Sequence, residues 1–288
     1  MKKTAFAAFT ILLIFIPQVS ANFSYSPIKY TPKQMSQAGL YLGGQIWQSS
    51  ANGAFGEEIS SIDVNSKKEQ QTSYFMAIVH PFPFLPNARI SISSLDTIDK
   101  TTLTQEFNFG GEKFSTGDDI YTNFNVSYVD YTLYYQLLDN RKFSFDLGVT
   151  ARDLNGDVTA TGATIIIDNE DDCPETPRSN ICPSPAGTYT PTGKIKTDDI
   201  VPMLYIAANL SLPLTNLNFF AQGDFSLIDD HTLFDYQIGL SYELAHTRMV
   251  DFNLTLGYKV VKMELEGLNN LYTDLKFKGV FVGLIAHF

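Results

Sequence analysis

The sequence predicts an all-β chain that crosses a membrane as an antiparallel up-and-down barrel of about ten strands, with eight or twelve left open. Three observations carry this. Apolar and polar residues alternate over separate short stretches of near strand length. The connectors between them are short and long by turns. The final stretch, Gly279 to Phe288, places Val280, Val282, Leu284, Ala286 and Phe288 on one wholly apolar face. In a soluble domain such a terminal strand is an edge that invites aggregation. Paired with the first strand, and with one face in lipid, it closes a barrel.

The chain has 288 residues. Residues 1–21 read as a leader: Lys2 and Lys3 are basic, Ala5 to Ile16 is apolar, and Val19-Ser20-Ala21 fits a small-residue cleavage site. That core is shorter than the roughly 20 residues a spanning helix needs. Residues 22–37 form a polar lead without a period, and residues 38–288 form the barrel.

The strand candidates follow in order: Gly39 to Gln48, Ser73 to His80, Ala88 to Leu95, Val129 to Leu137, Phe143 to Arg152, Val201 to Leu212, Leu217 to Phe225, Phe234 to Tyr242, Val250 to Val260 and Leu275 to Phe288. The clearest is Phe143 to Arg152. Phe143, Phe145, Leu147, Val149 and Ala151 share one face, against Ser144, Asp146, Gly148, Thr150 and Arg152. A helical period would not sort them this way. Each approaches the roughly 9–11 residues with which a tilted strand crosses a bilayer.

Short connectors at 80–87, 138–142, 213–216 and 245–249 alternate with long polar ones at 49–72, 96–121 and 155–200. Two connectors on the long-loop side, 228–232 and 263–273, are short exceptions. Short turns on one side and long loops on the other suit an outer-membrane barrel, with both ends of the barrel wall on the periplasmic side. Within 155–200, Asp157 to Asp168 is expected to pair with Thr188 to Lys196 as a projecting hairpin, with Cys173 and Cys182 near its tip. An exported chain meets an oxidising compartment, so these two cysteines read as a local disulfide.

The formal charge of −11 leaves no electrostatic footprint for nucleic acid. The 22 Phe and 15 Tyr suit strands and membrane interfaces. A soluble lipocalin-like periplasmic barrel is the alternative fold; it would be released in osmotic shock fluid.

Several segments resemble an uncharacterised family of proteobacterial outer-membrane β-barrels. These are Leu42-Gly43-Gly44-Gln45-Ile46-Trp47 with Gly53-Ala54-Phe55-Gly56, then His80 to Asn87, then Val201-Pro202-Met203-Leu204-Tyr205 with Leu212-Pro213. The likeness covers essentially the whole mature chain and implies fold and location, not an activity. Gly283, Ala286 and Phe288 resemble the terminal signal read by the barrel-assembly machinery, departing from it at Ala286 and Phe281. That machinery, periplasmic chaperones, outer-membrane lipid and lipopolysaccharide are the implied partners.

On the lumen face the sequence places Arg89, Arg152 and Lys259 beside Asp130, Asp146, Asp224, Asp235, Glu243 and Asp251. A narrow barrel is filled by side chains, so mixed signs point to mutual neutralisation rather than an open charged pore. Asp229 and His231, on the outer rim, resemble the Asp–His pair of omptin proteases, in which a His activates water with an Asp behind it. Such a site needs a second acidic pair, for which Asp96 and Asp99 are the candidates, spaced by three rather than two. None of the four histidines has a Ser two residues on, as a lipid A deacylase relay would call for. Asp168 to Glu175 lacks the spacing of a calcium loop and reads as a solvated surface. The reading is therefore non-enzymatic and free of cofactor or metal: a structural or surface-binding barrel with a largely filled lumen. A narrow solute or ion channel and a rim hydrolase are the alternatives.

Overall fold

The computed structural model describes residues 38–57, 60–66, 68–140, 142–167, 187–213, 215–227, 231–247, 249–268 and 271–288. In chain order the strands are β1 (Gly39–Glu57), β2 (Ser60–Asn65), β3 (Glu69–Val79), β4 (Asn87–Thr102), β5 (Phe107–Phe109), β6 (Glu112–Phe114), β7 (Asp119–Asp139) and β8 (Phe143–Thr161). They continue as β9 (Ile165–Ile167), β10 (Gly187–Tyr189), β11 (Thr192–Ser211), β12 (Leu217–Ser226), β13 (His231–His246), β14 (Asp251–Leu268) and β15 (Leu271–His287).

Ten of them, in the order β1-β3-β4-β7-β8-β11-β12-β13-β14-β15, pair antiparallel into a closed transmembrane barrel. The seam is the long β1–β15 pairing, from Tyr41 opposite His287 to Gly56 opposite Tyr272. Backbone bonds between Leu40 and Phe288, at 3.2 and 2.9 Å, finish it. β2 prolongs the line of β3 along the outer end of β1. At the break between them, the Ser66 hydroxyl accepts from the Ala51 N–H at 3.1 Å. Every expected strand is present, and the terminal strand pairs with the first as its sequence requires.

The strands run further outward than the alternation indicated. β7 begins at Asp119 rather than Val129, and β8 and β11 continue through much of 155–200. The expected pairing of Asp157 to Asp168 with Thr188 to Lys196 is there, with Asp157 opposite Lys196 and Ile165 opposite Tyr189. Cys173, Cys182, Asp168 to Glu175 and residues 1–37 lie outside the described residues.

The outer stretches were missed because the pattern changes phase. On β7, Tyr131, Leu133 and Tyr135 face outward at odd positions, while further out Ile120, Phe124 and Val126 are buried at even ones. On β15, Val280, Val282 and Leu284 face outward at even positions, whereas Leu275 and Phe277 are buried at odd ones. β8, β11 and β14 switch in the same way. Side chains on a strand alternate faces strictly, so the wall is apolar outside and polar inside near the short turns. Toward the other end it is polar outside and apolar inside. The lower zone is a lipid-facing belt; the upper zone is a filled β-barrel standing out of it.

A hairpin caps the upper core. β5 and β6 join through Gly110 and Gly111, at φ of 62° and 84°, the left-handed pair that a tight two-residue turn requires. Phe107, Phe109 and Phe114 are buried beneath it, and Phe109 meets Phe55 edge-on with centroids 5.5 Å apart. The Gly110 N–H donates to Glu57 at 2.8 Å, and Tyr189 donates to Glu112 at 2.6 Å.

The belt edge is testable. Leu256 faces outward between Leu240 and Val282, so Leu256→Arg should lower stability in lipid vesicles by about 2–4 kcal/mol. Asn125→Arg, on the exposed upper wall, should change it by less than about 0.5 kcal/mol. Urea titrations of both variants in the same vesicles check this, and equal losses would contradict the assignment of the two zones.

Candidate functional site

Where the phase switches, the lumen holds a compact charged network. Arg152 follows the lower polar run of β8, and the next inward residue, Leu154, already belongs to the apolar core. Its guanidinium clamps Asp130 with two bonds, of 2.7 and 2.9 Å, and reaches Asp235 at 3.1 Å. Lys259 pairs with the other oxygen of Asp235 at 3.1 Å. Tyr128 donates to Asp235 at 2.7 Å and lies under the guanidinium, 3.9 Å from it. Thr150 donates to Asp224 at 2.6 Å, and Ser91 donates to Asp130 at 3.3 Å. Arg152 is fully buried. The group joins β4, β7, β8, β12, β13 and β14 across the lumen, with Arg152 and Lys259 set against Asp130, Asp224 and Asp235.

Below it lies a cavity of ≈ 40 Å³, lined by Gln45, Ser73, Arg89, Ser91, Gln237 and Lys259 among others, with room for roughly one to three waters. Gln45 donates to Gln237 across it at 3.2 Å, and Arg89 stacks on Phe75 at 3.8 Å. A wider recess of ≈ 590 Å³ opens at the short-turn end, bounded by Ala38, His80, Phe82, Asn87, Gln136 and Asp139 among others.

The nine lumen charges read from the sequence therefore separate into levels. Asp130, Arg152, Asp224, Asp235 and Lys259 come together. Arg89 sits on the cavity below them. Asp146 lies lower on β8, beside Gln136. Glu243 and Asp251 belong to the short-turn rim, where Asp251 bonds His246 and lies 3.6 Å from His287, which stacks on Tyr41 at 4.2 Å. Gly283 faces the lumen by Gln45 and Thr255, Ala286 pairs with Leu42 and Phe252, and Phe288 is half exposed at the seam.

The described residues hold only part of the candidate rim constellation. Asp229 lies outside the described residues, and His231 opens β13, opposite Leu265. Asp96 and Asp99, three apart on one strand, point to opposite faces. The Asp99 carboxylate is occupied by backbone N–H groups of Asn65 and Lys100, both at 2.9 Å. β4 and β13 also stand on opposite sides of the ring, with the apolar core between them. On the outer surface, Lys100 pairs with Asp119 at 2.7 Å, and its hydrogen bond holds that carboxyl below its ordinary value.

Sequence reading assigned no site role to Tyr128, Thr150, Ser91, Gln45 or Gln237, although it set Thr150 on one face with Arg152. Strand parity extends the face of Asp130 to Tyr128, two residues before it. Gly110-Gly111 between Phe107-Asn108-Phe109 and Glu112-Lys113-Phe114 is likewise a hairpin signal in plain view.

No protein-family model matches this chain, and no curated protein matches it. Among solved structures, the outer membrane protease OmpT from Escherichia coli aligns over 91% of this chain and 99% of its own, at 10% identity and TM-score 0.49. The Pseudomonas putida toluene transporter TodX aligns over 88% and 91%, at 8% identity and TM-score 0.33. Ail, the attachment invasion locus protein of Yersinia pestis, aligns over 87% and 99%, at 11% identity and TM-score 0.30.

Removing the network's hub tests its cohesion. Arg152→Ala leaves Asp130 and Asp235 buried without their shared partner, and should cost about 3–5 kcal/mol. Adding Asp130→Asn should recover part of that loss. Trp47, the single tryptophan, is buried with Lys259 5.5 Å above its ring, so its fluorescence reports the urea transition.

Proposed function

We propose that the chain is a non-enzymatic outer-membrane barrel with a closed lumen, serving as a rigid pedestal that presents its outer rim for structural or binding roles. One observation carries this reading: the lumen is filled at two successive levels. Arg152 and its partners span the lower one, and the Phe-rich core under the β5–β6 hairpin fills the upper one. A solute path would have to break both. Buried charges removed from each other cost several kcal/mol per ion, by order of magnitude.

The lipid-facing belt and the leader features of residues 1–21 support export to the outer membrane, with cleavage near Ala21 and the short turns in the periplasm. The outer rim at β8–β11, extended by the β9–β10 pairing, is where a ligand would meet the protein, since loops on a rigid scaffold carry recognition.

Purified protein in planar bilayers of defined salt should produce no conductance steps, and discrete steps would favour the narrow-channel reading instead. Cell fractionation should recover a heat-modifiable species beginning at Asn22 in the outer membrane. Recovery in osmotic shock fluid would overturn the location.

A further inference from the structure

The outer wall is not uniform around the ring at the height where the belt ends. On β8 the first charged outward residue above Val149 and Ala151 is Asp153; on β11, above Pro202 and Ile200, it is Asp198; on β4, above Ile90 and Ile92, it is Asp96. On β14 and β15 the order is reversed. Above Tyr258 and Val260 comes Lys262, with Glu264 one rung further out. Above Val282 and Val280 come Lys278 and Lys276, with Asp274 one rung further out. Lysine therefore adjoins the lipid on this face, and the acids stand back from it.

The lysines are also crowded. Lys262 and Lys276 are direct cross-strand partners. Like charges placed so are destabilising. Lys262 is drawn outward, to Glu264 at 2.6 Å and Asp274 at 3.7 Å. Lys276 and Lys278 are exposed, and among the described residues neither has a carboxylate partner. Beside them Phe234, Tyr236 and Tyr258 face outward at the upper belt, where aromatic side chains sit at a headgroup boundary. A lysine there can lay its stem along the apolar wall and hold its ammonium at the headgroups.

We propose that Lys276 and Lys278, with Lys262 behind them, form a site on the outer wall for the phosphate groups of a phosphorylated glycolipid of the outer leaflet. The belt sets the depth, the unpaired ammonium groups set the charge, and the aspartates at the same height on β4, β8 and β11 confine the site to one side. The inference rests on the outer-membrane reading above. Its test uses purified protein, so that a wrong location and a wrong site give different results.

The whole exported chain is placed in nanodiscs of neutral lipid and titrated with phosphorylated lipid A or its dephosphorylated form, with bound lipid counted by native mass spectrometry. Each lysine near an anionic headgroup contributes about five-fold in affinity, so K276Q/K278Q should weaken binding of phosphorylated lipid A by roughly 25-fold. K194Q/K196Q, an equal charge change higher on β11, should leave it unchanged, and the dephosphorylated form should bind wild type as weakly as the phosphorylated form binds K276Q/K278Q. Wild-type affinity in K276Q/K278Q, equal losses in both double variants, or equal binding of the two lipids would overturn the proposal. Heat modifiability on gels shows which variants are folded. Should K276Q/K278Q not fold, K278Q alone carries the test, with about a five-fold loss expected.

Discussion

Everything in this molecule depends on closing the ring. In hydrocarbon an unpaired N–H or C=O costs several kcal/mol, by order of magnitude, and a sheet with free edges has two rows of them. The β1–β15 seam removes both rows at once, over the full length from Tyr41–His287 to Gly56–Tyr272. Its outer end needs a residue without a side chain. Gly53 holds φ at 139°, and a Cβ there would lie 1.8 Å from the Asp274 carbonyl oxygen. Closure also makes the rest cooperative. Each inward residue of one strand faces inward residues of nine others, so a phase error in any strand would carry its whole apolar set to the wrong face.

That strictness explains what the sequence disclosed and what it hid. The lower half of each strand was legible because a lipid-facing residue every second position is the plainest pattern a strand can write. The upper half follows the same period in the opposite phase. Along β8, Phe143 to Ala151 point out at odd positions, while Leu154, Val158 and Ala160 point in at even ones. A search for continued alternation reads the switch at Arg152 and Asp153 as the end of a strand. The polar upper exteriors, with Asn123, Asn125 and Ser127 on β7, then read as loop. The rule remained local throughout; what changed was the solvent outside the wall, from lipid to water.

The lumen was legible in kind but not in arrangement. Residue type and parity marked the charged inward positions. They could not say which of them meet, because that depends on strand tilt and register across the ring. Asp130 and Arg152 are on adjacent strands and directly opposed, a pairing register alone dictates. Asp235 reaches Arg152 from β13, and Glu243, on that same strand, ends at the rim with His246 instead. Parity also sorts the two acidic candidates of the rim. Asp96 and Asp99 are close in sequence, yet an odd spacing on a strand separates them by the thickness of the wall.

The position of the charged network gives it a meaning beyond neutralisation. It sits where the inside changes from polar to apolar and the outside from lipid to water. A buried ion group of this kind is weak evidence for stability, since well-packed apolar side chains would often do as well or better. Its value is selectivity of register. Sliding β8 by one residue against β7 would turn Arg152 toward the outer face and leave Asp130 buried alone, and a two-residue slide would set Leu154 or Thr150 against it. Either error loses both the Asp130 clamp and the Asp235 contact. The aromatic core above tolerates small shifts, because Phe, Leu and Val substitute for one another in filling space. The network does not. It is the level at which the upper barrel, held by its own apolar core, is registered against the lower barrel, held by lipid.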